Sequence, residues 1–190
     1  DADMVLYRKF STNKWNSLVL PVNMTLRQVR EAFGVGTRLS EFRGLLDNCI
    51  YFDELSAPGS DDEVFLKRNT PYVIRPTQEP TPHEFNTGTG VETTEKECYF
   101  ATGINYTNED CCVSCTTGKY GKLSFTGTYA CKDANNYPVS GDFVLKGGDL
   151  WRLVKDHKTK AYHCWIVARG QQCEKVRMAM FSSFPREGKT

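Results

Sequence analysis

Apolar and polar positions alternate in short runs along most of this chain, and one stretch departs from the alternation. From Ser17 to Val22 nearly every position is apolar, which predicts a strand covered on both faces. Pro21 cannot donate to a ladder, so the strand ends there or runs along a sheet edge. The period then changes. Leu26, Val29 and Phe33 fall at helical spacing, with Arg27, Arg30 and Glu31 on other faces. Thr25 and Gln28 have the capping-box spacing, in which each side chain satisfies a free N–H of the other. Gly34 supplies a left-handed stop. The pattern predicts a helix over 25–33, a structural lid on one end of a β core, because its exposed face carries no distinctive chemistry.

The remaining runs read as strands and turns. Strands are expected over 4–10, 37–42, 44–52 (ending in Cys49-Ile50-Tyr51-Phe52), 64–66, 71–76, 98–105, 123–129, 142–145, 150–153, 161–168 and 175–181. Lys146-Gly147-Gly148-Asp149 is a hairpin turn. Asn108 to Gly118 is a cysteine-bearing loop. Residues 58–63, Pro-Gly-Ser-Asp-Asp-Glu, form an acidic loop without the oxygen spacing of a calcium site. Residues 76–97 are rich in Pro, Thr, Gly and Glu and read as a long connection. Many short strands, regular turns and a single helix predict a mainly β fold, a β-sandwich of short antiparallel strands. Leu18, Leu20, Leu26, Val29, Phe33, Tyr72, Ile74, Phe125, Val144, Leu150 and Ile166 are the expected core.

Composition narrows the function classes. Charged residues make up 25% and hydrophobic residues 39% of the 190 positions, ordinary for a folded chain. No apolar run reaches the length of a membrane span. The first ten residues lack signal-peptide anatomy, so Asp1 is expected to open a mature chain. Residues 151–190 hold nine Lys/Arg against three Asp/Glu, a net +6 that leaves −5 for the rest. These charges are interleaved with strand-like apolar positions. A solvated sheet face explains them better than a polyanion site, and no nucleic-acid partner is expected.

Eight cysteines, an even count, favour disulfides and an oxidising compartment. Two Asn-x-Thr sequons, at Asn23 and Asn105, carry meaning only in a eukaryotic secretory pathway. Cys111-Cys112-Val113-Ser114-Cys115 contains a C-x-x-C, but zinc needs a second pair of ligands at matching spacing. Cys131 stands alone and His83, His157 and His163 are scattered. A redox C-x-x-C opens a helix, whereas this one sits in β and loop sequence. His163 and Cys164 are adjacent on a strand, so they point to opposite faces and form no nucleophile–base pair. Phosphate loops, dinucleotide fingerprints and G-x-S-x-G are absent. No catalytic residue, metal or cofactor is therefore assigned. Core packing accounts for Trp15 and Trp165. Trp151 follows the hairpin turn and, with Tyr129 and Tyr137, is the candidate ligand contact.

Several motifs recur in a spaced pattern. Trp15-Asn16-Ser17-Leu18-Val19-Leu20-Pro21 is followed by Phe33-Gly34 and by Pro71-Tyr72-Val73-Ile74-Arg75-Pro76. The second half has Phe125-Thr126-Gly127-Thr128-Tyr129, Gly141-Asp142-Phe143-Val144-Leu145, Gly147-Gly148-Asp149-Leu150-Trp151-Arg152 and Tyr162-His163-Cys164-Trp165-Ile166. From about residue 13 to 168 this resembles the secreted or surface-exposed β modules common in Bacteroidetes, whose members mostly lack an assigned function. The resemblance implies a single module over 1–190 with 76–97 as an internal loop, a place at the cell surface, and no catalytic residues to carry over. The chain departs from the pattern in its cysteine-rich loop and at His163, where an Arg is common.

Against that pattern Cys164 replaces a small buried residue on a central strand, which makes it the expected free thiol. Vicinal Cys111 and Cys112 are poorly placed to bond each other. With Cys49 as the second free thiol, Cys98, Cys111, Cys112, Cys115, Cys131 and Cys173 remain as three disulfides of open connectivity. Two functions follow as expectations. One is a non-enzymatic envelope module for adhesion, assembly or display, with an unknown protein or glycan partner. The other is a carbohydrate-binding accessory domain using exposed aromatics. A degradative enzyme is the weaker third, since it requires two facing carboxylates in a cleft.

Overall fold

Two hydrophobic cores meet on opposite faces of one sheet, and the apolar run near residue 20 feeds both. Leu18 and Leu20 enter the first core, while Val19 enters the second. Each fully buried leucine contributes roughly 1.5–3 kcal/mol, so continuous apolarity here is the price of covering two faces. The structure, a computed structural model, describes residues 2–3, 8–46, 49–78, 103–104, 116–117, 123–129, 137–157, 162–168 and 177–181.

The chain is mainly β. In order its elements are β1 (Ala2–Asp3), β2 (Asn16–Leu18), β3 (Met24–Thr25), α1 (Leu26–Phe33), β4 (Arg38–Leu46), β5 (Cys49–Glu54), β6 (Val64–Leu66) and β7 (Tyr72–Arg75). Then come β8 (Gly103–Ile104), β9 (Thr116–Thr117), β10 (Ser124–Gly127), β11 (Phe143–Lys146), β12 (Asp149–Arg152), β13 (Cys164–Val167) and β14 (Arg177–Phe181). One five-stranded sheet has the order β14-β5-β4-β7-β2, and a second has β12-β11-β13-β10-β9. β3 pairs with β6, and β1 with β8.

Period-two alternation assigns each strand residue to a core. On β7, Tyr72 and Ile74 join the first core and Val73 the second. On β4, Leu39 joins the first and Phe42 the second. The first core is closed by Leu26, Val29, Ala32 and Phe33 of α1, with Met24, Phe65 and Leu66 from the small sheet. The second is shared between the large sheets, where Phe42, Phe52 and Val73 meet Phe125, Phe143 and Ile166. Phe125 lies edge-on to Phe52, with centroids 5.6 Å apart. The two large sheets thus face each other as in a sandwich, with α1 and the β3–β6 pair as a third layer.

The helix forms where the spacing predicts it. Thr25 Oγ1 accepts from the Gln28 N–H at 3.2 Å, and Gln28 Oε1 accepts from the Thr25 N–H at 2.9 Å. The acidic loop completes the cap. The Leu26 and Arg27 N–H groups donate to the Glu63 and Asp61 carbonyls, both at 2.9 Å. Asp62 and Asp61 also pair with Arg27 and Arg30. Gly34 ends the helix, though not in the left-handed helical region: φ is +105° and ψ 154°. A Cβ there would run into Thr77 Oγ1, because the chain returns at 77–78 to donate to the Phe33 carbonyl.

Several expectations are corrected. β14 runs parallel to β5, so the strands are not all antiparallel. The strand expected to begin at Gly44 does not, since Gly44 lies inside β4 at a register shift after Phe42. There φ is +131°, a value glycine alone adopts at low cost. Thr116–Thr117 is strand rather than loop. Val144 and Leu150 are only half-buried: Val144 sits on the outer face beside Trp151, and Leu150 lies on an edge strand. The other nine expected core residues are buried. Of the expected strand at 4–10, residues 4–7 lie outside the described residues, as do 79–97 of the long connection and most of 98–105.

Candidate functional site

The hairpin of β11 and β12 offers the largest exposed apolar side chain among the described residues. Gly147 and Gly148 both have positive φ, +61° and +86°, as a two-residue type I′ turn demands. A Cβ on Gly148 would lie 3.2 Å from Lys14 Cβ, so the turn rests against the segment that leads into Trp15. The ladder pairs Lys146 with Asp149, Leu145 with Leu150, Val144 with Trp151 and Phe143 with Arg152. Paired residues share a face. Phe143, Leu145 and Leu150 turn toward the core between the sheets, and Val144 and Trp151 turn away. Trp151 is 56% exposed. Its indole Nε1–H donates to the Lys146 carbonyl at 3.2 Å, which holds the ring against the hairpin. Lys146, Asp149 and Arg152 beside it are exposed.

The three aromatics singled out from the sequence do not form an exposed row. Tyr129 is 6% exposed, its ring 5.6 Å from that of Tyr162, and its hydroxyl donates to Asn69 Oδ1 at 2.6 Å. A tyrosine with its ring in the core and its hydroxyl satisfied inside is not a surface contact. Tyr137 is half-buried ahead of β11. Tyr129 follows β10, and β11 and β13 separate β10 from β12, a span of about 14 Å at ordinary strand spacing. Trp165 is buried as expected, and Trp15 is half-buried with the Arg38 guanidinium 5.3 Å over its ring.

Several acids among the described residues hold the fold. Asp142 Oδ2 accepts from the Val139 N–H and Oδ1 from the Ala168 N–H, both at 3.0 Å. That buried carboxylate clamps the entry of β11 to the exit of β13. Glu54 pairs with Arg38 through two hydrogen bonds, which hold its carboxyl below the usual range against the opposing effect of burial. Asp53 accepts from Arg43 at 2.7 Å. No group of three or more His, Cys, Asp or Glu side chains is placed to hold a metal among the described residues. No helix among them is long and apolar enough to cross a membrane.

Cys49 and Cys164 are both free and buried, as expected. Burial pushes the Cys164 thiol far above its ordinary value, only partly offset by the charge of Arg8, so it stays protonated and is a poor nucleophile. The six cysteines expected in disulfides, Cys98, Cys111, Cys112, Cys115, Cys131 and Cys173, lie outside the described residues.

One cluster escaped the sequence reading. Buried Arg8 donates to the Tyr162 carbonyl at 2.9 Å and stacks 4.4 Å over the Phe10 ring. The same carbonyl accepts from the Val19 N–H. Tyr162 has φ +66° and Asn69 has φ +56°, a conformation unusual for a tyrosine. No local signal marks Arg8, whose partner lies at the far end of the sequence. Asn69 in Asn-Thr-Pro is a turn signal that could have been read.

Compared with known proteins, the chain matches no family model, no curated protein and no solved structure.

Proposed function

We propose that this chain is a non-enzymatic module of a bacterial envelope protein, secreted or held at the cell surface, serving adhesion, assembly or display. One observation carries the reading. Asp142 and the Arg38–Glu54 pair are committed to structural contacts and the Cys164 thiol is buried and protonated, while the largest exposed apolar side chain, Trp151, stands on an edge hairpin. The spaced motifs agree with it. The Trp15–Pro21 segment, the helix ending at Phe33-Gly34 and the Pro71–Pro76 strand line the two cores and cap them. They read as the skeleton of a module, with recognition left to its periphery. The test has two parts. Protease shaving of intact cells should release the chain. The purified chain should turn over no glycoside, ester or peptide panel, and turnover lost on replacing a single acid or cysteine would overturn the reading.

Trp151 also favours a second reading, a carbohydrate contact, because an immobilised indole flanked by Asp149 and Lys146 can cover a sugar ring while its polar neighbours bond the hydroxyls. A glycan array tests it: binding abolished in Trp151→Ala and kept in Tyr129→Phe would support it, and no binding would reject it.

A further inference from the structure

One end of the first large sheet carries two cations face to face. Arg38 opens β4 and Arg75 closes β7, and the ladder sets the two directly opposite each other. Their neighbours Leu39 and Ile74 enter the first core, so by alternation both arginines stand on the face turned to the second sheet. Like charges at opposed positions of a sheet are destabilising. Glu54 offsets one of them. It binds Arg38 through Nε and Nη2, and the charge of Arg75 also helps to hold the Glu54 carboxyl below its usual range. Two guanidiniums against this one carboxylate leave a single positive charge over.

Both guanidiniums are held in place. That of Arg38 lies 5.3 Å over the Trp15 ring. Trp15 in turn packs against the second core, so the cation rests on a fixed aromatic support. Arg75 Nε donates to the Asn13 carbonyl at 3.0 Å. Asn13 takes φ +58° in a turn that Asn16 ties together, its side chain bonding to Ser11, Lys14 and Ile74. The Asn13 N–H returns to the Pro76 carbonyl at 2.7 Å. The turn thus fixes the stem of Arg75 beside the Arg38–Glu54 pair, while both arginines stay partly open to water.

We propose that Arg75, with Arg38 beside it, binds the carboxylate of a small acidic ligand at this end of the sheet. Glu54 shows the chemistry that fits, a planar carboxylate met by a guanidinium through two hydrogen bonds. With Nε held by Asn13, Arg75 has its two terminal nitrogens to offer as a second fork. Among the described residues it forms no ion pair. The single surplus charge suits a monoanion. A dianion such as phosphate would crowd Glu54 with a second negative charge. A uronic acid and an acidic amino acid both carry the required group. The site lies on the inner face of one sheet, whereas Trp151 lies on the outer face of the other, so it stands or falls separately from the proposed function.

Side-chain N–H resonances test it. Titration of the full chain with sodium acetate, against sodium chloride at equal ionic strength, should shift the Arg75 and Arg38 Nε–H signals saturably and raise the melting temperature. Glucuronate and N-acetylglutamate α-amide, titrated in turn, tell a sugar source from a peptide source by which binds the more tightly. Arg75→Gln should keep the wild-type circular dichroism spectrum and bind acetate about tenfold more weakly or worse. Arg152→Gln, on the exposed hairpin, should bind as wild type does. No saturable shift beyond that of chloride overturns the proposal, and so does phosphate binding as tightly as acetate. Binding kept in Arg75→Gln, or lost in Arg152→Gln, places the anion elsewhere and overturns it too. Should Arg75→Gln fail to fold, Arg75→Lys keeps the charge without the fork, and undiminished binding in that variant overturns the assignment.

Discussion

At the scale of single residues, the constraints are those of close approach. Gly127 is the sharpest case: a Cβ there would lie 2.7 Å from Val19 Cγ1 and 2.9 Å from Cys164 Sγ. Gly127→Ala should therefore cost about 1–3 kcal/mol of overpacking, read as a lowered denaturation midpoint. Glu54 sets a pH dependence. Its folded pKa is depressed by Arg38, so the stability it contributes is present above the unfolded carboxylate range and is lost as pH falls through the folded value. Unfolding curves below pH of about 4 should be steeper in pH for wild type than for Glu54→Gln. The thiols give a third check. Cys49 and Cys164 should be inert to a thiol reagent in the native chain and react on denaturation without reductant, adding up to two if the other six are bridged. Little of this was legible in the sequence. Cys164 could be marked as buried through the resemblance, as the replacement of a small residue on a central strand, but the neighbours that force a glycine at 127, Val19 just past β2 and Cys164 on β13, are distant in the chain.

At the scale of elements, the helix was the most legible feature, because its signals are local. Thr25, Gln28 and the 3.6 period lie within nine residues, and the cap forms as the spacing requires. Thr25→Ala should cost about 1 kcal/mol, measured by chemical denaturation. The double coverage of the run at 17–22 was legible for the same reason, and Leu20, fully buried, should cost roughly 2–5 kcal/mol when cut to Ala. The edge position of β2, implied by Pro21, also holds. Less legible was whatever depends on a partner. Nothing local says that the acidic loop serves the helix, since its acids had to be seen against Arg27 and Arg30. Nor does alternation tell which face of a hairpin looks outward, and so Val144 was expected inside.

At the scale of the whole molecule, the mainly β class followed from the density of turns and short alternating runs, while topology did not, because pairing partners leave no mark in either strand alone. Tyr129 shows what that costs a site reading: its hydroxyl meets Asn69, 60 positions away, and an aromatic that looked like a surface contact belongs to the interior. The pairing of β14 with β5 is the extreme instance, for position 177 lies beside position 49 in parallel register. A chain made from its amino end must hold β5 with one flank vacant until residues 177–181 arrive. Pairings of such long sequence separation are slow to form, so the sheet is completed late. The flank of β5 is therefore the last seam of that sheet to close, and the residues on either side of it wait longest for their neighbours.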